Sequence, residues 1–362
     1  MKHPDNSSLI LSGSDVEAIV RHCGLDELMD TCISRLNAAI QAFDPNQTII
    51  PVRAGFHYEQ PQNGLIEWMP MLNSGDQVMM KVVGYHPANP IKHDLPTILS
   101  TISAFDTDSG HLLGMVDGVL LTALRTGAAS AVASSYLAHP DSKTLGIIGC
   151  GTQAITQLHG LSRVLELEKV LIYDLSPQAT MSFADRASVL GLQVEIIPTN
   201  IHEVVSKAEI LVTATSIEVG AGPLFENQET KPFLHINAVG SDFPGKLELP
   251  SDLLTQSFVC PDFLEQALLE GECQQLQPEQ IGPEWVEIIQ DSEAYTHLKL
   301  ERTIFDSTGW PLEDFIVMEI FLEYARELGL GQEIAVELLP DDAKNPYHFL
   351  KEIREKVMLK AT

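Results

Sequence analysis

The spacing of apolar and polar positions changes character near residue 125. Before it, apolar residues recur at helical intervals over about 14–22 and about 25–43, which predicts two amphipathic helices. Short apolar stretches follow: "PVRAGFHY", "GLIEWMPML", "DQVMMKVVGY", "TILSTISAFD" and "HLLGMVDG". They are rich in β-branched and aromatic residues and broken by Gly, Asn and Pro, so they predict a mostly antiparallel or mixed sheet. "TALRTGAASAVASSYLA" is then a helix of small residues, suited to close packing. After it the pattern alternates. "TLGIIG", "KVLIYD", "VEIIPT", "ILVTATS", "FLHINAVG" and "SFVCPD" are apolar strands, separated by helical pieces such as "TQAITQLHGLSRVL" and "SPQATMSFADRASVLG". Ser176 is expected as an N-cap with Pro177 in the first helical position. Such alternation predicts a parallel, doubly wound sheet. "PLEDFIVMEIFLEYARELGLG" is a last amphipathic helix, expected to return to the first sheet, which otherwise lacks a helical layer.

Within this frame, "TLGIIGCGTQA" carries G-x-G-x-x-A between a strand and a helix. Gly149 would make the turn, Gly151 would let a pyrophosphate approach the backbone, and Ala154 would let helix and strand pack closely. The helix beginning at Thr152 would face the phosphates with free N–H groups. Asp174 closes the next strand, 23 residues after Gly151, where an acid binds ribose hydroxyls and repels a 2′-phosphate. No Arg follows it directly, so the cofactor expected is NAD and not NADP. The plainer alternatives are a structural βα turn and an Asp that merely opens a turn.

Charge narrows the class. The 362 residues include 50 acids and 22 bases, a formal net charge of −28, which argues against nucleic acid as a partner and for an acidic, solubilising surface. The five cysteines form no C-x-x-C pair and suggest reduced thiols in a cytoplasmic protein, with no metal framework. No signal peptide or membrane span is expected. Against this background Arg53, Glu67 and Lys81 each lie inside an apolar stretch, and Arg125 lies where the two halves meet. A charge among apolar residues is costly to bury without a partner. Together the four describe a pocket for an amino acid, with Arg53 and Lys81 holding its carboxylate and Glu67 an ammonium; scattered surface charges are the other reading. "NAVGSDFPGK" raises a further question: a strand runs out into Asp242 and Lys246, flanked by Gly240 and Gly245.

The ordered set "GLIEWMP", "MKVVGYHPANP", "LPT", "ALRTGAAS", "GCGTQ", "NAVGSDFPGKLEL" and "IFDSTG" resembles the ornithine cyclodeaminase/mu-crystallin family over about residues 50–325. "HPANP" and "EWMP" are most similar to its ornithine cyclodeaminase branch. The resemblance implies an α/β fold: an α+β substrate-binding and dimerisation domain over residues 1–127, completed by 312–362, and a Rossmann NAD-binding domain over 128–311. It implies a homodimer through the substrate-domain sheets. Asp242 would be the catalytic acid/base. Arg53, Lys81 and Arg125 would surround the substrate carboxylate, Glu67 the amines, and Thr308 would lie beside the substrate. Thr97, Arg125, Gly149, Gly151, Thr152, Gln153, Asp174, Thr215, Val239, Gly240, Lys246 and Ser307 would contact NAD. Ser241 and Phe243 depart from the family pattern, where a glycine and a cysteine are expected, and this bears on the substrate side chain.

The activity implied is conversion of L-ornithine to L-proline and ammonia: hydride removal at Cα, cyclisation, loss of ammonia and return of the hydride. A ketimine reductase or amino-acid dehydrogenase would need the same cofactor and carboxylate clamp. A non-enzymatic, crystallin-like binding protein is a third alternative, against which Asp242 and Lys81 speak.

Overall fold

A computed structural model describes residues 7–340 and 342–350; the outer ends of the expected first domain, 1–6 and 351–362, lie outside the described residues. The first half runs β1 (Ser8–Leu11), α1 (Gly13–Cys23), α2 (Leu25–Gln41), β2 (Thr48–Ile49), β3 (Ala54–Tyr58), β4 (Gly64–Asn73), β5 (Gln77–Tyr85), α3 (Asn89–Lys92), β6 (Ile98–Asp106), β7 (Leu112–Asp117) and α4 (Val119–Leu137). α1 starts on a reciprocal cap between Ser12 and Asp15 and stops at Gly24, whose φ of 85° breaks the chain before α2.

The second half runs β8 (Thr144–Ile148), α5 (Thr152–Val164), β9 (Lys169–Tyr173), α6 (Pro177–Ala187), β10 (Glu195–Pro198), α7 (Ile201–Lys207), β11 (Ile210–Thr213), β12 (His235–Ala238), α8 (Ser251–Thr255), β13 (Phe258–Pro261), α9 (Leu264–Glu270), α10 (Trp285–Gln290), β14 (Thr303–Asp306), α11 (Pro311–Leu328) and β15 (Gln332–Ile334). The Ser176 hydroxyl accepts from the Ala179 N–H at the start of α6, with Pro177 in the first turn.

Two sheets result. The first, in the order β15-β1-β7-β6-β5-β4-β2 with β3 also on β4, is mixed: β1 lies parallel to β7 and the pairs from β2 to β7 are antiparallel. The second, β10-β9-β8-β11-β12-β14-β13, is parallel throughout. Its order reverses between β8 and β11, the switch point at which doubly wound sheets take ligands.

The helix α11 packs against β1, β4, β5 and β7 and against α1, α2 and α4, so its apolar side covers the first sheet. Alternation along β4 and β5 sends Leu65, Met69, Met79 and Val83 to this covered face, and with them Glu67 and Lys81. The opposite face carries Phe56 (69% exposed), Ile66, Val82 and Leu99. α4 joins the halves, buried almost all round. A Cβ on Gly160 of α5 would lie 2.3 Å from the Gly127 carbonyl, so α4 and α5 meet backbone to backbone and fix one sheet against the other. Among the described residues no helix is long and apolar enough to cross a membrane, and no cluster of His, Cys, Asp or Glu could hold a metal.

Candidate active site

A cavity of about 620 Å³ opens between the carboxyl ends of the parallel strands and the covered face of the first sheet. Every residue singled out above for catalysis, substrate or cofactor lines it, from Arg53 and Lys81 at one end to Gly151 and Asp174 at the other. They are far apart in sequence and are gathered because most follow a strand of the second sheet or face inward from the first, while Arg53 and Thr97 precede strands of the first sheet and Arg125 comes from α4 between them.

At the nucleotide-sheet end, Gly149 has φ 98°, and a Cβ there would lie 2.5 Å from the Ala214 carbonyl. Gly151, the N-cap of α5, has open space where a side chain would stand. The Asp174 carboxylate accepts from the N–H groups of Cys150 and Ser176, each at 2.7 Å, so the acid both holds the glycine turn and faces the cavity. Thr215, Gly240 and Lys246 lie at the ends of the neighbouring strands. A buried acid that sequence reasoning missed, Glu248, accepts from the Thr215 N–H (2.8 Å) and hydroxyl (2.6 Å) and from the Gly240 N–H (3.1 Å). Burial raises its pKa, opposed by the Thr215 hydroxyl.

Lys246 Nζ donates to Asp242 Oδ1 at 2.7 Å and lies 5.2 Å from the centre of the Tyr85 ring. Burial alone would lower the lysine pKa, but Asp242 and Tyr85 outweigh it and the net shift is upward. Lys246 is therefore a fixed cation that orients Asp242. Val239 and Ser307 line the cavity, with the Val239 N–H donating to the Thr213 carbonyl and the Ser307 N–H to the Ala238 carbonyl.

At the other end three residues already have partners within the protein. Arg53 precedes β3 instead of lying within a strand. Its guanidinium donates to the Thr308 and Gly309 carbonyls, stands 3.0 Å from Glu270 and 3.8 Å from Glu67. Arg125 is not a free clamp: it pairs with Glu313 at 2.5 Å and Asp314 at 3.1 Å, both on the first turn of α11. Thr308 lines the cavity while its hydroxyl donates to Asp262 Oδ1 (3.0 Å). Lys81 Nζ lies 2.7 Å from Asp314 Oδ2. Burial, aided by Arg125, pushes Lys81 down to about 7, with Asp314 opposing. Burial likewise lifts Glu270 to about 8, against the pull of Arg53.

Glu270, Glu313 and Asp314 are thus counter-ions that sequence reasoning missed. For Glu313 and Asp314 the signal is present: in "PLEDFIV" two acids sit among apolar residues, the same feature that singles out Lys81. A periodic reading had absorbed them into a helix start, where acids also suit the helix dipole.

Residues 15–328 match the model of the ornithine cyclodeaminase/mu-crystallin family, and the chain belongs to that family. It is 40% identical to the L-lysine cyclodeaminase of Streptomyces rapamycinicus over 339 residues, covering 93% of this chain and 98% of that one. It superposes with a TM-score of 0.91 and 45% identity on a solved lysine cyclodeaminase described for its recognition of L-lysine, L-ornithine and L-2,4-diaminobutyric acid, over 94% of this chain and 99% of the other. An archaeal alanine dehydrogenase, solved as a dimer with bound NAD, superposes with a TM-score of 0.81 and 30% identity, over 91% of this chain and all of that one.

Proposed function

We propose that this chain is an NAD-dependent cyclodeaminase of L-diamino acids, converting L-ornithine to L-proline and L-lysine to its six-membered homologue, each with release of ammonia. The carrying observation is the make-up of one cavity, which combines Arg53 and Lys81 with two acids, Glu67 and Asp242. An α-amino acid with a second amine has partners for all three of its charged groups there; one with an apolar side chain has fewer. The similarity to a lysine cyclodeaminase sets lysine beside ornithine as a substrate.

The fit to NAD rests on the open cradle at Gly151, the left-handed glycine turn at Gly149 and the acid at Asp174. Gly149, Gly151, Thr152 and Gln153 would hold the pyrophosphate, Asp174 the ribose, and Thr215, Gly240, Lys246 and Ser307 the nicotinamide half. When bound, the cofactor supplies reversible hydride acceptance at Cα of the amino acid.

The residues then have separate tasks. Arg53 and Lys81 hold the carboxylate; Glu270 and Asp314 keep those cations aimed. Glu67 draws the side-chain amine into the same space, so ring closure becomes effectively unimolecular. Asp242 takes a proton from the attacking amine and delivers one to the departing ammonia. Lys246 keeps that carboxylate turned toward the reacting atoms. The exposed apolar face with Phe56, Ile66, Val82 and Leu99 supports pairing of two subunits through the first sheet, residues 1–127 with the C-terminal helix forming the substrate domain and 128–311 the NAD domain. The unpaired cysteines fit a cytoplasmic location.

The test is ammonia release from L-ornithine, L-lysine and L-2,4-diaminobutyrate with substoichiometric NAD. Ammonia in excess of NAD supports the proposal. Ammonia limited to one equivalent of NAD, matched by NADH, would make the protein a dehydrogenase.

A further inference from the structure

We infer that Phe243 sets the length of diamino acid that the site accepts, and that His57 braces it. The inference rests on the cyclodeaminase reading. Phe243 follows Asp242 directly in the loop after β12 and lines the cavity. Its ring lies 4.6 Å from that of His57 on β3, tilted by 40°. His57 Nε2 in turn lies 3.0 Å from Glu67 Oε1. The aromatic pair therefore spans the gap between the two acids, Asp242 and Glu67, that would meet the substrate amines, and it does so across the junction of the two sheets.

Two features make this wall firm. Gly55 lies opposite Glu67 in the β3–β4 ladder, and a Cβ there would fall 2.5 Å from Glu67 Cγ. Only a glycine lets the glutamate lie across β3 toward His57. The second feature is the restraint on Glu67 itself, which is 5% exposed and held between His57 and the Arg53 guanidinium. The acid at this end cannot retreat to admit a longer chain, so the space left to the substrate side chain is set on the other side, by the Phe243 ring. One methylene of substrate length against an apolar wall changes kcat/KM by about 10- to 200-fold. The carboxylate clamp lies at Arg53 and Lys81 and the proton-transfer group at Asp242, and neither changes when the ring is trimmed.

The experiment compares kcat/KM for L-lysine and L-ornithine, by ammonia release, in the wild type, Phe243→Ala, His57→Ala and His57→Phe. Phe243→Ala should raise the lysine-to-ornithine ratio by about tenfold or more. His57→Ala should move the ratio the same way by a smaller factor. His57→Phe keeps a ring against Phe243 but loses the bond to Glu67, and should return the ratio most of the way to the wild-type value, a rescue that a general loss of packing would not give. Wild-type turnover with an unchanged ratio in Phe243→Ala would overturn this inference alone. No ammonia from any diamino acid with the wild type would overturn the cyclodeaminase reading, and this inference with it.

Discussion

Lys81 Nζ lies 2.7 Å from Asp314 Oδ2, with both side chains shut away from solvent. One comes from the middle of β5 and the other from the first turn of α11, so the pair ties the first sheet to the helix that covers it. It also sets a titration. Burial, Arg125 and Arg53 press the lysine toward its neutral form, Asp314 favours the charged form, and the balance falls at about 7. A carboxylate clamp needs the cation. KM for the amino acid is therefore expected to stay level below about pH 7 and to climb above it as Lys81 loses its proton. Asp314→Asn removes the group that keeps the proton on, so the climb should begin at lower pH, and Asp314→Glu should move it back. The pH profile of kcat/KM reads this; an unmoved limb in Asp314→Asn would mean that Lys81 does not hold the substrate.

The Arg53 side chain serves the Thr308 and Gly309 carbonyls and the Glu270 carboxylate together. A lysine keeps the charge but not the fork. Arg53→Lys is expected to raise KM on the order of tenfold, the scale of one charge-assisted hydrogen bond, with a smaller change in kcat. Steady-state kinetics on the folded variant checks it, and an unchanged KM would mean that Arg53 serves only the protein's own carbonyls.

Asp174 binds two backbone N–H groups and still faces the cavity. Its charge would repel a 2′-phosphate. The wild type is expected to bind NADH more tightly than NADPH, and Asp174→Ser to narrow the gap by weakening NADH and admitting NADPH. Fluorescence titration of both nucleotides decides this; equal wild-type affinities would refute it.

The outer face of the first sheet leaves Phe56 and Ile66 side by side on paired strands, with Val82 and Leu99 nearby. Contiguous exposed apolar patches are a common feature of association surfaces, and the proposed pairing of two subunits uses this one. Light scattering should give a dimer for the wild type and a monomer for Phe56→Asp/Val82→Asp. A monomeric wild type would contradict subunit pairing through this face.

How much of this was legible in the chain varied with the kind of interaction. The parallel sheet and the turn at Gly149 were readable because strand, glycines and helix follow one another, so local pattern carries them. Glu67 and Lys81 were noticed as charges in apolar strands, but their facing the cavity depended on register, which alternation resolved only once β4 and β5 were paired. The partners of Glu270, Asp314 and Asp262 are not legible. Each acid stands in a segment that reads well as an ordinary helix or strand end, and each gains its meaning from a partner brought up by tertiary packing: Arg53 for Glu270, Lys81 for Asp314, and Thr308 for Asp262. β1 and β15, four and three residues long, also escaped notice, being too short for a periodic signal.

Asp242, held by Lys246, is the group assigned to proton transfer. Asp242→Asn keeps the size of the side chain and removes the base. Turnover is expected to fall on the order of 10²-fold or more, while NADH affinity is largely kept. Normal turnover in this variant would reduce Asp242 to a turn residue.

The closed hydride cycle is tested most directly by following the hydrogen on Cα. L-lysine or L-ornithine deuterated at that carbon would be incubated in ordinary water with the enzyme and a trace of NAD, and the cyclic product examined by mass spectrometry. The account predicts ammonia in many-fold excess over NAD and product that retains deuterium at the ring carbon bearing the carboxylate. Product without the label, or NADH rising in step with ammonia, would contradict it.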